Sequence, residues 1–351
     1  MKGLQAENLN DFVTSVTGGG KMKLGNEHAA ILKPQRNITA FTENQARNRF
    51  ANALLYDQTM VQLEETQHGD PKYIHASQIN NKFGNIIMAQ APKSNTVVEL
   101  YRMLWQYRIH TIVVTADIEG PERDFHPFFE RKVGKKRKTK GRFLVRTVAI
   151  RPEGKRIMNY ELKLTNLLIK GKEEQKERVV NVICLLDWDV EKPYDAKTIC
   201  QAIHNVEALT ASVEAHDDSV KDSPTLIMGN SGIRRTGMFA CAMMLHKQIA
   251  SGHISLLGTL GSVRNHRYGV LKKRMHYYNL LEIVVQLVAE TGSIVPGSPE
   301  YNKIMAELKE AEKFKVVTPK TKTDKTEIDE EENEEEENKK VGVSKSETKN
   351  P

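Results

Sequence analysis

Apolar residues recur along this chain with two different periods, and their alternation predicts the architecture. Runs rich in Val, Ile, Leu and Thr at Thr111–Ala116, Arg142–Ile150, Arg156–Ile169, Val179–Leu186 and Thr225–Met228 read as strands. Between and after them, Asn95–Tyr107, Ala196–Val213, Arg235–Ile249 and Met275–Val288 repeat apolar positions every three or four residues, as helices do. In Ala196–Val213, the side chains of Ile199, Ile203, Val206, Leu209 and Val213 share one helical face. Strands interleaved with helices predict an α/β domain whose sheet is covered on both faces. The basic run Gly134–Arg142 leads from the TIVVTA strand into an expected antiparallel pair, so the sheet should be mixed and twisted.

The ends differ from the middle. Residues 1–24 have weak periodicity and include Gly18-Gly19-Gly20; they are expected to form a flexible arm with a short helix at Leu4–Val13. The compact domain is expected over 25–295. Within 296–317, Tyr301, Ile304, Met305, Leu308, Ala311 and Phe314 fall at helical spacing, which predicts an amphipathic helix closing the domain. Residues 318–351 include EIDEEENEEEEN and have too little apolar surface to offset ordering entropy; a disordered acidic tail is expected.

Charge sharpens this division. The chain carries +7, yet Thr323–Pro351 holds eleven acidic and five basic residues, a net of −6, which leaves +13 on the rest. A body this basic attracts anions such as phosphoproteins, nucleic acid or acidic headgroups. Part of the excess is the run Arg131–Arg142, which reads as a solvated hairpin tip or an anion-attracting patch. No stretch of eighteen apolar residues predicts a membrane span, and no basic-then-apolar leader pattern opens the chain. Three cysteines without CxxC spacing suit a reducing compartment, so a cytoplasmic protein is expected. The eleven histidines show no metal-ligand spacing, so neither metal nor cofactor is expected.

The densest chemical signal is Pro224–Leu245, PTLIMGNSGIRRTGMFACAMML. A short apolar strand runs into a loop with two glycines and then into a helix. Such a loop can direct successive backbone amides at one point, the helix N-terminus adds about half a positive charge, and an arginine supplies a bidentate fork for an oxyanion. Arg235 is placed to be that fork, and Gly232 permits close backbone approach. Arg235 could instead brace the loop against a buried carboxylate.

This segment resembles the HCSAGIGRTG signature of classical protein tyrosine phosphatases. Other motifs follow in the same order. Asn48-Arg49-Phe50 resembles the Asn-Arg-Tyr that opens the phosphotyrosine-recognition loop, and Tyr73-Ile74-His75-Ala76-Ser77 resembles Tyr-Ile-Asn-Ala-Ser. Ala89-Gln90-Ala91-Pro92 with Asn95-Thr96, then Leu104-Trp105-Gln106, resemble Thr-Gln-Gly-Pro…Asn-Thr and Met-Trp-Glu. Arg264–Gly269 fits Arg-x-x-Arg-x-Gly. The resemblance runs from about Asn44 to Gly292 and implies the tyrosine phosphatase fold. It also implies a phosphate loop made of Gly229, Asn230, Ser231, Gly232, Ile233, Arg234 and Arg235, with Phe50 and Asn52 on the recognition side.

The departures bear on function. The family's nucleophilic cysteine stands six residues before the arginine, where this chain has Gly229. A glycine cannot form the covalent phosphoenzyme. The family's Trp-Pro-Asp acid becomes Trp188-Asp189-Val190, which displaces the carboxylate by one residue. Lys272 and His276 stand where active members place two water-positioning glutamines; Ala51 and Asn52 replace the substrate-holding pair; Arg234 replaces a glycine. These changes imply an inactive member that binds a phosphorylated protein, phosphotyrosine first, rather than nucleic acid. Two alternatives stay open: a scaffold with a vestigial pocket and basic surface, or a weak residual phosphatase using Asp189 with water or Ser231.

Overall fold

Thr225–Gly229 is apolar and buried along its whole length, as expected of a strand covered on both faces. The computed structural model, which describes residues 7–14, 18, 37–116, 118, 125–172 and 176–313, puts it near the middle of the main sheet. In chain order the strands are β1 (Glu7–Asn8), β2 (Met60–Gln62), β3 (Tyr73–Asn81), β4 (Gly84–Gln90), β5 (Thr111–Val114), β6 (Lys136–Thr139), β7 (Phe143–Glu153), β8 (Ile157–Asn166), β9 (Glu177–Leu185), β10 (Thr225–Gly229) and β11 (His253–Ile254). The helices are α1 (Thr39–Glu43), α2 (Val97–Gln106), α3 (Ala196–Glu214), α4 (Arg234–Ala250), α5 (Leu256–His266), α6 (Arg274–Glu290) and α7 (Pro299–Lys313).

Nine strands form one mixed sheet in the order β2-β3-β4-β10-β5-β9-β8-β7-β6. The central four, β4, β10, β5 and β9, run parallel, and the outer strands pair antiparallel. Successive residues of β10 feed opposite cores. Ile227 joins Met88, Val113 and Ile183 under α3, α4 and α6, whereas Leu226 and Met228 join Ile87, Ile112 and Val182 under α2. The α/β reading with helices on both faces holds, and so does the mixed sheet. Helix α4 leaves β10 on one face and α2 leaves β4 on the other. A crevice therefore opens at the carboxyl ends of these neighbouring strands, where α/β sheets receive ligands.

Periodicity alone does not reveal β3. Its His75 and Ser77 are polar yet fully buried, so the expected alternation is broken. The basic run forms a hairpin with β7, turning at residues 140–142, but it is more than a tip: Lys136–Thr139 is the edge strand, a position where lysines discourage further pairing. Two of its arginines are spoken for, Arg137 by Glu130 at 2.8 Å and Arg142 by Asp70 at 2.6 Å.

At the amino end, β1 pairs with β11, and Phe12 and Val13 are buried in the larger core. This part of the expected arm is docked, because its apolar side chains find a surface to cover. Helix α7 buries Ile304, Leu308 and Ala311 along one stripe and is tied to α6 by Arg274 Nη2, which donates to the Ala311 carbonyl at 2.8 Å. The compact unit ends at Lys313. The expectations for 1–6, 15–17, 19–36 and 314–351, Phe314 of the C-terminal helix included, fall outside the described residues.

Candidate functional site

The loop that follows β10 is shaped by what each position can accommodate. Gly232 has φ of +70°, and a Cβ there would lie 2.4 to 2.6 Å from the backbone of Ala89 and Gln90, so only glycine fits. The carbonyl oxygens of Ser231 and Gly232 accept from Arg267 Nη2 and Nε at 3.1 and 3.0 Å. In a trans peptide C=O and N–H point opposite ways, so the amides of Gly232 and Ile233 face away from Arg267. Helix α4 starts at Arg234 with Ile233 as N-cap, and no side chain caps it. Its first amides are thus open to an anion, reinforced by the helix dipole.

Arg267 is fully buried beneath this loop. It also donates to Ser77 Oγ at 3.2 Å and to His75 Nδ1 at 2.9 Å. The His75 ring donates through Nε2 to the Ala53 carbonyl at 2.7 Å, which fixes its tautomer. Burial, and then the Arg267 charge, hold that imidazole well below its ordinary pKa, so it stays neutral. Burial lowers Arg267 itself to about 10, which still leaves it cationic at neutral pH. Among the described residues no carboxylate pairs with it. A buried cation without a counter-charge favours an anion in the adjacent loop.

Gly229 ends β10, and its surroundings are filled. A Cβ built there would sit 2.5 Å from Thr236 Oγ1 and 2.7 Å from Thr115 Oγ1. The two hydroxyls are hydrogen-bonded to each other at 3.2 Å. Thr115 is held in place by its amide, which donates to the Met228 carbonyl at 2.8 Å. Met228, in the position of the family's histidine, points into the core under α2. Asn230 and Ser231 are half-buried, and Asn230 Oδ1 is a buried acceptor with no hydrogen-bond donor among the described residues.

Arg235 is 5% exposed and donates through Nη1 to the Trp188 carbonyl at 2.5 Å. Among the described residues, a backbone oxygen is thus one brace for this side chain. Trp188 is buried and stacks on Tyr194, with ring centroids 4.6 Å apart and planes at 17°. Asp189 is exposed; its Oδ1 accepts from the Glu191 amide at 2.9 Å, and its Oδ2 pairs with Lys192 at 2.9 Å. These contacts lower its pKa, first through the Glu191 amide and then through Lys192. That is the wrong direction for a general acid, which must carry its proton at working pH.

The segment 188–191 is fastened at further points. Val190 presents its carbonyl to His276 Nε2 at 3.2 Å. Burial first, then Arg234, push the His276 imidazole down to about 4, so it is neutral and donates from Nε2. Glu191 bridges two cations, Arg234 Nη1 at 3.1 Å and Lys273 Nζ at 2.6 Å. Burial alone would raise the Glu191 carboxyl, but Lys273 and Arg234 bring it below its ordinary value. Lys272 is half-buried, and its amide donates to the Gly269 carbonyl at 3.2 Å.

On the recognition side, Phe50 is partly buried against the larger core, while Ala51 and Asn52 are exposed. Arg49 holds this segment in place, donating to the carbonyls of Ala91 and Pro92 at 2.8 Å each. The structure thus gathers Gly229–Arg235, Asp189, Val190 and His276 around one crevice. Sequence reasoning missed Thr115, Thr236, His75 and the role of Arg267. The available signals were a threonine ending the apolar run TIVV and a threonine directly following Arg235.

Residues 44–286 match the family model described as "Protein-tyrosine phosphatase". This chain belongs to the protein-tyrosine phosphatase family. Its phosphatase domain is 26% identical over 266 residues to rat tyrosine-protein phosphatase non-receptor type 21, covering 70% of this chain and 21% of that protein. Against human non-receptor type 14 the identity is 24%, over 75% of this chain and 23% of the other. The chain thus spans only about a fifth of the length of these two relatives. Tyrosine phosphatase-like protein J1 of Microplitis demolitor bracovirus is 25% identical, over 73% of this chain and 85% of its own length. In three dimensions, the catalytic domain of human non-receptor type 18 superposes with a TM-score of 0.66 at 19% identity, covering 78% of this chain and 96% of that one. The same phosphatase in complex with HER2 phosphopeptides gives a TM-score of 0.65 at 18% identity, covering 79% and 94%. The phosphatase fold of this chain is thereby established. No helix among the described residues is long and apolar enough to cross a membrane.

Proposed function

We propose that this phosphatase domain does not hydrolyse phosphate but binds a phosphorylated protein, phosphotyrosine first, as a regulator of phosphorylation signalling. The observation that carries the inactive half is Gly229: the nucleophile position has no side chain, and two threonine hydroxyls occupy the space a Cβ would need. Loss of a nucleophile costs on the order of ~10⁶ in turnover in serine hydrolases. Asp189 is tied to Lys192 and to the Glu191 amide and is held ionised, which supports the same conclusion.

The binding half rests on the loop. Arg235 stands in the first turn of α4, whose start no side chain caps, and the buried Arg267 charge, without a carboxylate partner among the described residues, lies beneath the loop. The ligands are then Gly229–Arg235, with Phe50 and Asn52 at the rim. The human type 18 domain solved with HER2 phosphopeptides supports a phosphotyrosine ligand for this fold. The three buried free cysteines suit action in a reducing cytoplasm.

One observation favours a second reading. Glu191 joins Arg234 to Lys273 across the loop, which would leave the pocket vestigial and the basic surface as the working part of a scaffold. The deciding experiment is titration of a labelled phosphotyrosine peptide and its unphosphorylated twin. A preference for the phosphopeptide that Arg235→Ala abolishes supports the binder. Equal affinity for the twins supports the scaffold, and phosphate release from the peptide would restore the residual-enzyme reading.

A further inference from the structure

The histidines are dispersed in the sequence, yet the fold brings two of them together away from the crevice. His204 on α3 and His246 on α4 meet with ring centroids 5.1 Å apart and planes at 82°. Glu207 lies one helical turn beyond His204, and its Oε2 is 3.0 Å from His246 Nε2. Glu290, the last residue of α6, places Oε2 2.9 Å from His204 Nε2. Three donor side chains from two helices come together, and Glu290 of a third helix stands behind His204.

We propose that His204, Glu207 and His246 form a binding site for a divalent transition-metal ion of the zinc class, with Glu290 positioning His204. One donor atom from each of the three ligands lies within 4.8 Å of the others. Around an ion with bonds of about 2.0–2.1 Å, neighbouring ligands sit roughly 2.9–3.4 Å apart. The His246–Glu207 pair already has that separation. From a separation of at most 4.8 Å, closure needs a side-chain movement of no more than about 1.4–1.9 Å, on a backbone fixed by its helix. Two imidazoles with carboxylate oxygen suit zinc, nickel, copper or cobalt, whereas calcium and magnesium prefer all-oxygen sets. Glu290 on the outer nitrogen of His204 would play the usual part of a carboxylate behind a ligating histidine.

The site is accessible but not loose. The side chains of His204 and Glu207 are 42% and 40% exposed, and that of His246 is 15% exposed, so an ion can enter from solvent onto a partly buried floor. Two separate His–Glu ion pairs would explain each short distance alone. They do not require the two pairs to abut with their rings in contact. An ion here would fasten α4, the helix that carries Arg235 at its start, to α3 and α6.

The test uses the full chain without an affinity tag, stripped with chelator and then titrated with Zn²⁺ by calorimetry and with Co²⁺ by visible absorption. The expected result is a single saturable site, cobalt bands of a low-coordinate N/O environment, and a raised melting temperature with zinc. His204→Ala with His246→Ala should weaken zinc by about 100-fold or more, and Glu290→Gln by about 10-fold. X-ray absorption of zinc on the unmodified chain should show two imidazole ligands, a readout that does not depend on the variants folding. No zinc uptake at ~0.1 mM, uptake unchanged in the double variant, or fewer than two imidazoles on the ion would each overturn the proposal.

Discussion

Arg235 reaches across the crevice to donate through Nη1 to the carbonyl oxygen of Trp188 at 2.5 Å. Arg235 therefore also fastens the segment that carries Trp188, Asp189 and Val190. Three other contacts support it: His276 on the Val190 carbonyl, and Arg234 and Lys273 on Glu191. These contacts commit positive charge of the loop to the 188–191 segment, charge that the proposed anion would have to share.

Phosphate recognition should depend on Arg235. A charge-assisted pair with an oxyanion is worth about 1.5–3 kcal/mol, so Arg235→Ala should weaken a phosphopeptide by roughly 10- to 150-fold. Arg235→Lys should recover part of this, since an ammonium keeps the charge but loses the planar fork. Fluorescence anisotropy with the peptide twins measures both.

Restoring the cysteine should not restore turnover. In Gly229→Cys the new Cβ must displace the Thr115 and Thr236 hydroxyls, and overpacking of this kind costs about 1–3 kcal/mol. We expect a lower melting temperature and no aryl-phosphate hydrolysis above buffer. Hydrolysis at rates ordinary for the family would show that Val190, Lys272 and His276 are no obstacle.

Releasing Glu191 should strengthen anion binding. Its partners are 30–40% exposed and the carboxylate itself is 56% exposed, so Glu191→Gln should change stability by no more than about 1 kcal/mol. It removes one negative charge beside Arg234 and Lys273, and phosphopeptide affinity should rise with a steeper salt dependence. An unchanged affinity would mean that Arg234 and Lys273 do not face the ligand.

Acid should destabilise the fold through His276. Its pKa falls from the ordinary 6.5 to about 4 in the folded chain. The unfolded chain therefore takes the proton first as pH drops. The contribution is fully present above pH 6.5 and is lost progressively toward pH 4, by at most about 1.4 kcal/mol per pH unit. Urea unfolding across this window should show the slope, and His276→Gln should flatten it.

The Asp70–Arg142 pair should be the costliest ionic contact to break. Both side chains are about 90% buried, with contacts of 2.6 and 2.8 Å, and Arg102 lies 3.6 Å away. The Arg142 contact, against the opposing effect of burial, holds the Asp70 carboxyl well below the usual carboxylate range. Asp70→Asn leaves two arginines without their anion and should cost about 3–5 kcal/mol in chemical unfolding.

Much of the domain could be read from local pattern. The strands around β10 and the helices α2, α3, α4 and α6 announce themselves because one face or both faces of each are buried, and burial leaves a period in the sequence. The loop after β10 was equally legible, since Gly229–Arg235 is one contiguous segment and Gly232 marks where the backbone must approach closely. Glycine at 229, where the family's signature has cysteine, is a property of a single position. It needed no structure to be noticed.

Tertiary structure decided what surrounds those positions. Thr115 and Thr236 are 121 residues apart, and only sheet order brings their hydroxyls over Gly229. Arg267 meets the Ser231 carbonyl across 36 residues, and His276 meets Val190 across 86. His204 and His246 lie on different helices, so no linear spacing betrays them. β3 escaped periodicity because His75 and Ser77 are buried to serve Arg267, so its polar residues face inward. Hydrophobic burial writes itself along the chain every two or every three to four residues. Hydrogen bonds and charges between distant segments have no such period, and only the packing of the elements settles them.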